Sequence, residues 1–255
     1  AFVADYLLMQ EKGSADKVNK HLNAILNAVQ PSYEVFDIEF VLTEVVISGC
    51  ETCDGFSNSL DPVVLQTSFA TWGNAGGITQ PYDVAQLWTN RDFTGNVVGV
   101  SPVATLCTNN RYSLVQDYSP NFNSLRALSA HELGHCFGAS HDPSNSFFLM
   151  QPTILPTLTE FSANSIGSIN NHLSSRTCLD HYCPFCLAAT QIAYNSSNYT
   201  LTWQDDAPTC QIRIKRSGET NWLLQTTTNE QFYTFTGLSD CYNYVVEVQP
   251  VCADN

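Results

Sequence analysis

Positive charge is what this chain has least of. Ten lysines and arginines stand against 24 aspartates and glutamates in 255 residues, for a formal net charge of −14. A surface of that sign repels phosphate backbones and anionic lipid, which argues against nucleic acid and acidic membrane surfaces as partners. Long apolar runs are also missing: no stretch reaches the roughly 18 residues a spanning helix needs, so membrane insertion is not expected. No secretory leader precedes Phe2-Val3-Ala4. The chain therefore reads as a processed form that has lost targeting and N-terminal inhibitory segments. At 44% hydrophobic it can bury one sizeable core and a smaller second one, and a monomer is expected. Cysteine, by contrast, is plentiful. Ten in one chain favour an oxidising compartment and a secreted, extracellular protein.

One stretch carries chemistry, His131-Glu132-Leu133-Gly134-His135-Cys136-Phe137-Gly138-Ala139-Ser140-His141-Asp142. On a helix, a separation of four puts His131 and His135 on one face, so both imidazoles can reach one ion. Gly138 stops the helix and lets the chain turn back, which brings His141 in as a third ligand. Three neutral imidazoles leave a Zn2+ ion its full charge and one open position, as a catalytic site requires. Glu132, beside the first ligand, is placed to act as general base. The bare HExxH motif recurs by chance on solvated helices. Every residue added in HExxHxxGxxHD answers a geometric need, and ordinary histidines without metal do not explain the set.

The extended motif resembles that of the metzincin zinc metalloproteases, and within them the adamalysin or reprolysin (ADAM-like) group. Phe2-Val3-Ala4-Asp5 resembles that domain's first strand. Tyr82 to Thr89, through Gly99 and Cys107, resembles the helix that leads into the edge strand of its cleft. Phe148-Leu149-Met150-Gln151-Pro152 resembles the Met-turn, with Met150 as a hydrophobic floor beneath the metal. Phe161-Ser162, Ile166, Ile169 and Leu173 resemble the C-terminal helix, closed by Cys178. The resemblance covers roughly residues 1–180. It implies a zinc endopeptidase acting on protein or peptide substrates, and a Cys107–Cys178 disulfide. It leaves a structural calcium (Ca2+) open. Asp83 matches one ligand position, but the acidic residue before the first strand falls ahead of residue 1, and His181 stands where asparagine is expected. Two features depart from the pattern: no cysteine lies between 142 and 149, and Cys136 sits inside the motif. A rival class is an adhesion or interaction protein built on a metzincin shell, and Glu132 with all three histidines weighs against it. A metal-dependent hydrolase of non-peptide substrates is a third class, with no feature of its own here.

Residues 1–182 therefore read as an α/β catalytic domain, a mixed twisted sheet with helices and a zinc cleft. A strand is expected at 2–9 and a helix at 14–30, where Val18, Leu22, Ile25, Leu26 and Val29 recur at helical spacing and Pro31 ends it. A second strand is expected from Phe36 to Ile47, and helices at 61–71 and near 82–89. Val97 to Val103 should form the edge strand, which in the family pairs with an extended substrate. Tyr112 to Gln116 should be a short strand, and Ser124 to Phe137 the active-site helix with Ser124 as N-cap. Asp142 should organise its loop by hydrogen bonds. His21, His172 and His181 read as surface residues.

Residues 183–255 alternate apolar and polar: Tyr199, Leu201, Trp203; Ile212, Ile214; Tyr244, Val246, Val248. That is a small all-β, immunoglobulin-like sandwich. It resembles a fibronectin type III module, with Trp203 as core tryptophan and Leu238 and Tyr244 as its tyrosine corner. Asn195 and Asn198 are glycosylation acceptors if the source is eukaryotic. The spacings Cys50–Cys53 and Cys183–Cys186 read as short disulfides or as bridges to distant partners, rather than as zinc or redox sites. Cys210–Cys241 is the leading bridge within the sandwich, and Cys183 or Cys186 to Cys252 another. Nothing places Cys136. The resemblance makes the Met-turn segment the wall of the pocket that takes the side chain after the cut. Gln151 to Leu155 is uncharged, so an apolar residue should be preferred there, unless Glu160 folds into the pocket.

Overall fold

The computed structural model describes residues 1–179, 190–204, 209–239 and 242–251. The chain divides into two compact units, Ala1–Leu179 and Asp180–Asn255.

The first unit is built on five strands: β1 (Phe2–Ala4), β2 (Val45–Ile47), β3 (Ala85–Thr89), β4 (Gly99–Val100) and β5 (Tyr112–Gln116). Their order is β2-β1-β3-β5-β4, parallel throughout except for β4, which runs antiparallel to β5. Every residue of β1, β3 and β5 is buried, as expected of a parallel sheet covered on both faces. Five helices surround it: α1 (Tyr6–Lys12), α2 (Ala15–Tyr33), α3 (Pro62–Trp72), α4 (Phe122–Cys136) and α5 (Ala163–Leu173). On one face α2 and α4 bury Leu22, Ile25, Val29, Leu125 and Leu128 together with Trp88 and Val115. On the other, Leu65 and Phe69 of α3 pack on Val3, Leu87 and Leu114.

Several elements depart from the sequence reading, each for a visible reason. The segment near 82–89 is the central strand β3, not a helix. It is laddered to β1 and β5 at once, and a fully buried short run shows no period that separates strand from helix. The first strand stops at Ala4 because the Asp5 carboxylate accepts the Leu8 N–H at 2.9 Å and starts α1. Helix α2 runs through Pro31 to Tyr33, whose buried ring packs on Phe40, Phe137 and Phe161. That packing holds the last turn despite the proline. Of the strand expected over 36–47 only Val45–Ile47 forms. The Gln30 amide takes the Ile38 carbonyl at 2.7 Å and the Phe40 N–H at 2.8 Å, so those groups never join the ladder. The edge strand pairs only at Gly99 and Val100. Helix α4 begins at Phe122, capped by Asn121 rather than Ser124.

The second unit holds two three-stranded antiparallel sheets. In one the order is β10 (Phe232–Thr234), β7 (Thr200–Gln204), β6 (Thr190–Asn195). In the other it is β11 (Tyr244–Val251), β8 (Thr209–Arg216), β9 (Leu224–Thr228). Leu201, Trp203, Cys210, Ile212, Ile214 and Phe235 form its core. The Tyr244 hydroxyl accepts the Ser239 N–H at 3.1 Å.

Disulfides join Cys50 to Cys53 and Cys107 to Cys178. Cys136 is a buried free thiol, and burial pushes it up to about 12. Cys183, Cys186, Cys241 and Cys252 lie outside the described residues, as does His181, so the bridges expected of them are not described. His21 is not a free surface residue. It bonds Asp117 at 2.8 Å and meets the Trp88 ring edge-on. His172 is half-buried beside Gly138.

Candidate metal centre and active site

From Ser124 to Cys136 every residue of α4 is buried. A helix covered on all sides must satisfy each polar side chain it carries, because an unpaired one costs roughly 1–3 kcal/mol. Five such side chains find partners. Arg126 donates to the carbonyls of Leu158 and Pro156, at 2.6 and 3.0 Å. The Ser129 hydroxyl donates to Gln86 at 2.7 Å. His131 Nδ1 meets the Leu149 carbonyl at 2.6 Å, and His135 Nδ1 the Ala139 carbonyl at 2.8 Å. Glu132 Oε2 accepts the Ser101 hydroxyl at 2.7 Å.

The histidine contacts fix protonation. A carbonyl only accepts, so each Nδ1 carries the proton and each Nε2 keeps a bare lone pair. Burial, with His135 beside it, pushes His131 down to about 3, and burial also lowers His135. Both rings are neutral at physiological pH. His141 arrives because Gly138 adopts φ +111°, a conformation other residues rarely take, and a Cβ there would lie 2.8 Å from that of His172. The chain then reverses, and His141 Nε2 stands 3.2 Å from Nε2 of both His131 and His135. His141 can donate to at most one of them, so two hydrogen bonds cannot explain the cluster. Tetrahedral zinc with Zn–N bonds of about 2.0–2.1 Å spaces its nitrogens about 3.3–3.4 Å apart. The donor set fits zinc. Among the described residues these three histidines form one of two groups with metal-ligand spacing. The other is Asp83, Cys107 and Cys178, whose two sulfurs are bonded to each other. It gives no support to a calcium at Asp83.

Two supports hold His141 and Met150. Asp142, buried, accepts from the Ser162 and Ser165 hydroxyls at 2.7 and 3.3 Å, tying its loop to the start of α5. Its N–H donates to the Met150 carbonyl at 2.8 Å. Met150 is fully buried, and its sulfur lies 2.6 Å from where a Cβ on Gly134 would stand. Gly134 is thus what lets the methionine press against α4 below the histidines. The turn that carries Met150 also supplies the Leu149 carbonyl that orients His131. On the opposite side Gly99 of β4 lies so close over the Glu132 carboxylate that any side chain there would collide with it. Burial pushes Glu132 up to about 8, with the Ser101 hydroxyl opposing.

Every residue singled out from the motif, His131, Glu132, His135, His141 and Met150, therefore lies in one place. Ser101 and Arg126 were not anticipated. An arginine set among Leu125, Ala127 and Leu128, five positions before His131, is a signal for the second. For Ser101 the pattern offered none, since its contact depends on how β4 lies over α4.

Residues 1–200 match the sequence profile described as Metallo-peptidase family M12. The chain belongs to metallopeptidase family M12. Like the M12 enzymes it resembles, it is a zinc metalloendopeptidase. Snake venom metalloproteinase atroxlysin-1 of Bothrops atrox is 31% identical over 144 residues, 53% of this chain and 67% of that protein. Zinc metalloproteinase recombinant fibrinogenase II of Deinagkistrodon acutus is 28% identical over 171 residues, 64% of this chain and 72% of that one. Disintegrin and metalloproteinase domain-containing protein 19 of Mus musculus is 32% identical over 147 residues, 56% of this chain and 16% of that protein. The M12 chain thus spans about two thirds of the first two of these proteins and a small part of the longer mouse protein. No helix among its described residues is long and apolar enough to cross a membrane.

Proposed function

We propose that this M12 protein is a secreted endopeptidase in which His131, His135 and His141 hold the zinc and Glu132 is the general base. The observation that carries the reading is the convergence of three ring nitrogens at 3.2 Å, with the outer nitrogens of His131 and His135 turned to carbonyls. Zinc bound there would supply Lewis acidity, and its positive charge would favour the ionised Glu132 that a general base requires, against the burial that raises its pKa. Glu132 takes the proton of the attacking water at Oε1, because Oε2 is occupied by Ser101, and returns it to the departing amine. Ser101 keeps the carboxylate from turning, and Met150 gives the ligand set a rigid floor. An extended substrate would add to the free edge of β4, short though that strand is. Ile154 and Leu155, half-buried beside the core, make the wall of the pocket after the cut apolar. Glu160 is exposed, and its carbonyl accepts the Leu149 N–H at 2.7 Å. That favours an apolar over a basic residue after the cut.

The second unit we read as a fibronectin type III-like sandwich. Its two sheets over one core, and Tyr244 bonded back to Ser239, support this. Extracellular location, a domain limit near residue 182, removal of an inhibitory segment and a monomeric state belong to the same proposal. The test is cleavage-site profiling of the parent and of Glu132→Ala on a peptide library. The parent should cut before leucine, phenylalanine or methionine. Glu132→Ala should retain one zinc and lose about 10²–10⁴ in rate. Undiminished cleavage by that variant would remove the general-base assignment, and a preference for arginine or lysine would remove the apolar pocket.

A further inference from the structure

Arg126 is a buried cation without a carboxylate. It is 5% exposed, and none of the ion pairs among the described residues includes it. Its partners are two backbone carbonyls, Pro156 and Leu158, which lie two residues apart on the segment that follows Met150. Burial lowers the pKa of the guanidinium, which marks the cost of keeping a charge here. An apolar residue would fill the same space without that cost, so the two-point contact itself is the reason to look for a role.

We propose that Arg126 is a specificity-determining positioning residue: its planar fork fixes residues 156–158 against the active-site helix and so sets the size of the pocket that receives the substrate side chain after the cut. This rests on the reading of 151–160 as that pocket's wall. The segment is braced at several points, among them the Leu158 N–H to the Leu155 carbonyl at 3.2 Å. At its start Gln151 accepts the Phe147 N–H at 3.0 Å and donates to the Thr153 carbonyl at 2.8 Å. At its end the Glu160 carbonyl meets the Leu149 N–H. Both of these are internal to the loop region. Among the hydrogen bonds of the described residues, only those of Arg126 join this segment to α4, the helix that carries His131 and His135. Arg126 therefore fixes the distance between the wall and the metal ligands, while Ile154 and Leu155 between the braces present the apolar surface. A lysine would hold one carbonyl as a point charge, and only a fork can hold two in a set plane.

The test compares the full chain with Arg126→Met and Arg126→Lys on two peptides that differ only after the cut, one with leucine and one with tryptophan. The parent should favour leucine. In Arg126→Met the leucine-to-tryptophan ratio of kcat/KM should fall about tenfold, through a lower KM for the tryptophan peptide. Zinc content should be unchanged, since no ligand is touched, and the change in selectivity should appear in KM. Arg126→Lys should fall between. Folded variants that keep the parent's ratio overturn the proposal and leave Arg126 a packing contact. If the methionine variant fails to fold, the lysine variant decides by the same ratio. If neither folds, the guanidinium is a folding contact and the proposal falls. A parent that cuts both peptides alike overturns the pocket reading itself, which is a different result from a selective parent whose variants remain selective.

Discussion

At the scale of the residue, the centre depends on hydrogen bonds that select one state of each side chain. The Leu149 and Ala139 carbonyls choose the tautomers of His131 and His135, and the Ser101 hydroxyl chooses the rotation of Glu132. Removing Ser101 frees a carboxylate whose other oxygen must face the water. Ser101→Ala should lower kcat up to about tenfold, since a net hydrogen bond is worth about 0.5–1.5 kcal/mol. KM should not change, and Ser101→Thr should recover most of the loss. Steady-state kinetics on one good peptide checks this. A rise in KM instead would mean that Ser101 serves substrate binding along β4. The three histidines and Glu132 are legible in sequence because helical spacing and one glycine suffice to gather them. Ser101 is 31 positions away from Glu132, and only folding brings them together.

At the scale of the element, the end of β5 is joined to α1 and α2 by one carboxylate. Asp117 Oδ2 lies 2.7 Å from Lys12 Nζ and 2.8 Å from His21 Nε2. Burial pushes its carboxyl up, but the close approach of His21 and Lys12 outweighs burial and holds it below the usual carboxylate range. A folded pKa below the unfolded value, about 3.9, means the contribution is full above that value. It is lost as pH falls through the folded one. Asp117→Asn should cost roughly 1–3 kcal/mol at pH 7, and the gap from the parent should close on acidification below about pH 4. Thermal melts across that range measure it, and a gap that stayed constant would place the stabilisation elsewhere. Helix α2, with its clear period, is legible in the sequence, and α3 is legible as a helix without one. β3 is not, because burial on both faces erases the alternation. Nor is the failure of 38–44 to form a strand, because it is decided by the side chain of Gln30.

At the scale of the whole molecule, the disulfide between Cys107 and Cys178 closes 71 residues that include β5, α4, all three histidines, Met150 and α5. A Cys107→Ser, Cys178→Ser variant should lose roughly 2–4 kcal/mol in denaturant unfolding while still binding zinc, because no ligand is a cysteine. Loss of zinc affinity beyond that expected from unfolding would show that the bridge holds the site itself. The second unit has its own core, and the charge of −14 is a property of the entire chain. It bears on solubility and partners rather than on fold.

The sequence by itself determined the spacing that gathers three histidines, the glutamate beside the first of them, the glycine that turns the chain and the alternating strands of the second unit. All of these follow from local geometry: the helical turn, the φ a residue can adopt, the two-residue period of a strand. The tertiary structure alone decided which carbonyls orient the imidazoles, that Ser101 meets Glu132, that Arg126 reaches Pro156 and Leu158, and that residues 85–89 are a central strand. These depend on pairings between segments tens of residues apart. No local propensity encodes them, and they form only when each buried polar group has to find a partner.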